Sequence, residues 1–151
     1  MFMEEKNNNK IEVDAIDNVY KNAHIAIQSI SDVLKMTEDE AFKKELKDEY
    51  DGYERTVDEI ACYMREKGLE PKDINPFKKA MMWTSINMNA MTDKSTSHLA
   101  DMMLKGTVMG ISELMQLLSR DKGDLSEATK ERTQKLIDLE ESYEKNLKTF
   151  L

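Results

Sequence analysis

Few side chains in this sequence are of the kinds that do nucleophilic, redox or metal chemistry: two histidines, His24 and His98, one cysteine, Cys62, and a methionine-rich stretch. A metal held from one helix face needs a second imidazole three or four residues on, and neither histidine has one. His24 follows Ala23 on the apolar side of a helical pattern and reads as a boundary residue. His98 reads as a polar residue in a first helical turn. Cys62 lies away from Val57, Ile60 and Met64, with no lysine or histidine at helical spacing to lower its pKa, so it reads as an unreactive surface thiol. The chain contains no Ser-His-Asp order, no glycine-rich phosphate loop and no Cys-x-x-Cys pair.

The methionines are the remaining feature. Phe77 to Leu118 holds eight of the twelve, together with the only tryptophan and seven charged residues. Unbranched thioethers fill irregular cores and also build adaptable surfaces. Met81, Met82, Trp83, Met88, Met102, Met103 and Met109 are accordingly candidates for an oligomer interface or an apolar ligand groove, with plain core as the competing reading. A copper(I) site would call for a sustained Met-x-x-Met repeat, which is missing.

Length and charge bound the rest. At 151 residues the chain fits one domain with a core of ordinary size. A net charge of −8 repels nucleic-acid phosphates and anionic lipid. One cysteine permits no intrachain disulfide, and no apolar run approaches the ~20 residues that span a bilayer. A cytoplasmic protein is expected. The polar opening MFMEEKNNNK predicts a flexible lead-in over residues 1–10, followed by a single domain over 11–151.

Four long helices must position whatever site exists. Val13, Ile16, Tyr20, Ala23, Ile27, Ile30 and Leu34 alternate spacings of three and four, one stripe of a helix. Thr37-x-x-Glu40 has the form of a capping box for a second helix with the stripe Phe42, Leu46, Tyr50, Tyr53, Val57, Ile60 and Met64, ended by Gly68 and Pro71. Asn75-Pro76 predicts a short helix to about Met91 whose apolar residues point in several directions. Ser95, Thr96 or Ser97 caps a third long helix, His98 to Arg120, that is apolar over much of its circumference and carries Gly106 and Gly110 where another backbone can approach. Asp124-x-x-Glu127 predicts the cap of a last helix through Leu136, Glu140, Tyr143, Leu147 and Phe150. The expected fold is an all-α four-helix bundle with an additional short helix in the crossover between the second and third long helices.

This order of elements, with stretches such as KGTVMGISELMQLL, resembles the ferritin-like superfamily over Val13 to Leu151, in particular its small bacterial members of unknown function. In metal-binding members two helices each give a Glu and the other two each give Glu-x-x-His. The resemblance places the corresponding positions here at Tyr20 on the first helix, Tyr50 and Tyr53 on the second, Thr107 on the third, and Glu140 and Tyr143 on the last. Hydroxyls at these positions cannot neutralise two iron ions, so no cofactor is expected.

Three functions follow as expectations. The first is a non-enzymatic structural or interaction module without a metal site, forming a homodimer through the short helix and the His98–Arg120 helix. The second is a divergent di-iron oxidoreductase or iron-binding protein that recruits off-pattern carboxylates among Glu49, Asp51, Glu54, Glu113, Glu140 and Glu144. The third is a carrier of a small apolar ligand held against the methionines.

Overall fold

A computed structural model of the chain describes residues 2–72, 93–121 and 123–151, with residues 2–8 described by backbone alone. Among them every regular element is an α-helix: α1 (Phe2–Leu34), α2 (Glu40–Glu66), α3 (Thr96–Ser119) and α4 (Glu127–Lys148). The expected short helix from Asn75 to Met91 lies outside the described residues. No described helix is long and apolar enough to cross a membrane. The helical backbone of α1 runs back to Phe2, through the asparagine-rich stretch for which the sequence predicts a lead-in.

The helix starts show where short polar side chains win over the expected caps. The N-cap of α2 is Asp39, whose carboxylate accepts the Phe42 N–H at 2.8 Å, while Thr37 accepts the Asp39 N–H, two residues too early to cap the helix. The predicted Thr37 cap is thus displaced by two residues. Likewise α4 is capped by Ser126, which accepts the Thr129 N–H, and not by Asp124. Ser95 caps α3. At the end of α2 Gly68 takes φ 74°, and the bonds Leu69 N–H to Met64 C=O and Gly68 N–H to Arg65 C=O close a Schellman turn. Between α3 and α4 one carboxylate oxygen of Asp121 gathers the N–H groups of Gly123, Asp124 and Leu125, and the other pairs with Lys130 at 2.9 Å.

Contacts at the helix ends fix the topology. Phe42, at the start of α2, packs on Phe150, just past the end of α4, with ring centroids 5.1 Å apart. Tyr63, near the end of α2, reaches Ser126 at the start of α4. Helices α2 and α4 therefore run antiparallel. Glu12 on α1 also meets the start of α4, so α1 runs parallel to α4. Helix α3 ends a short turn before the start of α4, where Glu12 docks, while further along α1 Asn22 meets Gly110 earlier in α3, which makes α3 antiparallel to α1 and parallel to α2. The end of α2 and the start of α3 therefore lie at opposite ends of the bundle, about 36 Å apart by the length of the 24 residues of α3. This is the one-crossover connectivity, distinct from an up-down-up-down bundle.

The core lies along the common axis. Ile16, Val19, Ile30, Phe42, Leu46, Ile60, Leu99, Leu114, Leu136 and Leu147 are buried, supplied by all four helices. One polar contact fastens α1 to α4: the Glu12 carboxylate accepts from the Ser126 N–H at 2.9 Å, from the Ser126 hydroxyl at 2.6 Å and from the Thr129 hydroxyl. Burial alone would raise this carboxyl, but the three hydrogen bonds and Lys67 hold it below its ordinary value. An anion at a helix N-terminus also meets the positive end of the helix dipole. Glu12→Ala is expected to lower stability in urea unfolding by about 1 kcal/mol at neutral pH, since solvent screens part of the interaction. Because the folded pKa is depressed, the difference from the parent should shrink as the pH falls below the ordinary carboxylate value.

Candidate functional site

Midway along the bundle each helix brings a polar group or a glycine to the axis. On α2 the spacing that alternates three and four runs Phe42, Leu46, Glu49, Tyr53, Ile60 and Met64, all buried. Glu49 and not Tyr50 takes the inward position after Leu46; Tyr50 is only half-buried. Glu49 and Gly52, three apart, are both buried on this face; of the expected Tyr50 and Tyr53, Tyr53 is buried and Tyr50 is half-buried. On α4 the pair is Glu140 with Tyr143, as the periodicity predicts, and both are buried. Glu49 is 1% exposed and Glu140 2%.

The antiparallel register sets these two pairs against each other. The Tyr53 hydroxyl donates to Glu140 Oε1 at 3.3 Å, and the Tyr53 and Tyr143 rings pack with centroids 5.2 Å apart. The phenol of Tyr143 lies over Gly52. A Cβ at that position would overlap the Tyr143 hydroxyl oxygen and come within 3.2 Å of Cζ. From α3, Gly110 faces the same centre: its Cβ would lie 3.2 and 3.3 Å from the Glu140 oxygens and 3.4 Å from Asn22 Nδ2. From α1, Asn22 donates to the Gly110 carbonyl at 3.1 Å. Gly110 thus fits the expected close approach, whereas a Cβ on Gly106 would meet nothing within 4 Å among the described residues.

Electrostatics follow from burial. Removal from water pushes the Glu49 carboxyl up to about 9, helped by a hydrogen bond with Glu45 and by that residue's charge. Burial pushes Glu140 up to about 8; the Tyr53 hydroxyl works against this shift and the charge of Glu113 adds to it. Both carboxyls are therefore neutral acids at pH 7. Burial, then Glu140 and Glu49, drive the Tyr53 phenol well above its ordinary value, and burial with Glu49 drives Tyr143 up to about 12. Glu49 Oε2, Glu140 Oε2 and Asn22 Oδ1 are buried with no hydrogen-bond partner among the described residues.

Comparison with family models, curated proteins and solved structures returns no match.

The other residues singled out from the sequence are dispersed. Tyr20 is buried on α1 and stacks on His24, centroids 5.8 Å apart. Thr107 is buried on α3, and its hydroxyl donates to the Met103 carbonyl in its own helix at 2.8 Å. Cys62 is exposed and its thiol contacts Glu66. Met103 belongs to the core, Met102 is half-buried against it, and Met109 is exposed. Met81, Met82, Trp83 and Met88 lie outside the described residues. A cleft of about 580 Å³ opens between α1 and α3, but its walls include Asp14, Lys21, Asn22, Glu113, Arg120 and Asp124 and none of the candidate methionines.

The donor set does not suit a di-iron centre. Among the described residues no three histidine, cysteine, aspartate or glutamate side chains converge. Two acids that hold their protons at pH 7 would first have to lose them, and imidazole is missing from both Glu-x-x spacings. Gly52 and Asn22 do not stand out from the sequence because neither is apolar and large, and Glu49 enters only as one of several off-pattern carboxylates. A strict alternation of three and four from Phe42 onward would have found Glu49.

Proposed function

We propose that this protein is a ferritin-like bundle whose metal-binding centre has been replaced by a closed core of neutral acids and phenols, and that it serves as a non-catalytic structural or interaction module that self-associates. The one-crossover connectivity and the two opposed Glu-x-x pairs support the ferritin-like part of this reading. The observation that carries the rest is the seat of Tyr143 over Gly52. The second helix delivers no side chain where a Glu-x-x-His helix delivers its imidazole, and a phenol from the last helix occupies that volume. A closed core of neutral acids and phenols holds the helices in register but provides neither an open coordination position nor a general base that is ionised near neutral pH.

Elemental analysis of protein expressed with added iron tests this directly: less than about one-tenth of an iron per chain is expected, because two protonated carboxyls are a poor match for the ion. Near-stoichiometric iron would reject the reading. One observation favours the divergent di-iron alternative, namely that Glu49 and Glu140 are both fully buried at the centre. On that alternative Glu140→Ala removes bound iron together with iron-dependent absorbance; iron that is unaffected by the substitution would count against it.

A further inference from the structure

We infer that the cleft between α1 and α3 binds a linear aliphatic diamine, its two ammonium groups held by Glu113 and Asp14 and its methylene chain lying on the apolar floor between them. This goes beyond the structural role proposed above and does not depend on the neutral core. The cleft has a volume of about 580 Å³, within the usual range of small-molecule sites. Its walls are unequal in charge, with Asp14, Glu113, Asp121 and Asp124 set against Lys21 and Arg120. Both cations are already engaged, Lys21 with Asp17 at 2.9 Å and Arg120 with the Gln116 side chain at 3.4 Å. Asp121 is taken by Lys130 and by the N–H groups of the turn. Asp14 and Glu113, on opposite walls, are exposed and make no ion pair among the described residues.

A buried acceptor marks the inner end of the cleft. Asn22 lines it, is 8% exposed and spends an amide N–H on the Gly110 carbonyl at 3.1 Å. Its Oδ1 has no hydrogen-bond partner among the described residues and can only accept. Glu113 is one helical turn beyond Gly110, so the orphaned amide oxygen and the unpaired carboxylate belong to one corner. An ammonium there gives an N–H to Asn22 and its charge to Glu113; neither a carboxylate nor an alkyl end can do both. The antiparallel register then sets the length of the ligand. With Gly110 opposite Asn22, Glu113 stands level with Val19, about 8 Å along the axis from Asp14 by the helical rise. Between the two carboxylates the floor is apolar: Ala15 and Leu114 are buried and Leu117 half-buried. A methylene chain covers that floor while its charged ends stay at the rim.

Calorimetric titration of the full chain with 1,5-diaminopentane, at low salt and pH 7, should saturate at one ligand per chain. 1-Aminopentane, with one ammonium group, should bind about tenfold more weakly, the loss of one charge-assisted contact. Glu113→Gln and Asp14→Asn should each weaken binding of the diamine by about tenfold for the same reason, with unchanged helical circular dichroism because both side chains are exposed. Glu131→Gln, which removes the same charge from an exposed position on α4, should leave binding within about twofold of the parent. Absence of a saturable heat overturns the inference. Binding that all three substitutions weaken equally also overturns it, since that is the mark of a diffuse counterion atmosphere around an acidic chain. Neither result bears on the metal-free core or on self-association.

Discussion

Gly52→Ala is expected to destabilise the protein by about 1–3 kcal/mol, the usual cost of overpacking a core. The direction is diagnostic, because the same replacement in the middle of an unencumbered helix stabilises by up to about 1 kcal/mol. The cause is the Tyr143 hydroxyl, which occupies the place of the new methyl group, on a ring held by its contact with Tyr53. Tyr143→Phe removes that oxygen and leaves Cζ at 3.2 Å, tight but within reach of a small ring displacement. Tyr143→Phe should therefore restore most of the stability lost in Gly52→Ala, with a coupling of about 1–2 kcal/mol in a double-mutant cycle measured by urea unfolding. A Gly52→Ala variant as stable as its parent would show that the phenol lies elsewhere, and the account of the replaced metal centre would lose its main support.

The sequence makes the rods legible and the centre only partly so. The α1 stripe and the burial of Tyr53, Glu140 and Tyr143 follow from periodicity, because side chains three and four apart share a face whatever packs on it. On both α2 and α4 the cap lies two residues beyond the one the sequence predicts, since Thr37 and Asp39, or Asp124 and Ser126, are near-equal candidates until tertiary contacts choose between them. On α2 Tyr50 and Glu49 both continue the stripe after Leu46, and hydrophobicity alone favours the tyrosine. The structure buries the acid on the face it shares with Gly52 and Tyr53, close enough to Tyr143 for its charge to raise that phenol. Gly52 itself has meaning only against Tyr143, ninety-one positions later in the chain. Such a pairing across the bundle has no local signature.

The two buried acids should also make stability fall as the medium becomes alkaline. In the unfolded chain each carboxyl titrates near 4.5, while in the fold Glu49 is raised to about 9 and Glu140 to about 8. The folded form therefore binds more protons than the unfolded form between these values, and stability declines as pH rises through that window. Below 4.5 both states are protonated and nothing is lost; above about 9 both are ionised and the decline ends. By pH 7 each acid can withdraw up to about 3 kcal/mol, an upper bound because solvent penetration and rearrangement relieve part of it. The urea midpoint of the parent should drop between pH 5 and pH 9, and the double variant Glu49→Gln/Glu140→Gln should flatten that slope. Glutamine preserves the shape and cannot ionise, so absolute stability shifts with the fit of the new amide while the slope reports only the proton. A parent whose midpoint is level across this range would mean that the two carboxyls are already charged in the fold, and a centre of neutral acids would no longer describe the protein.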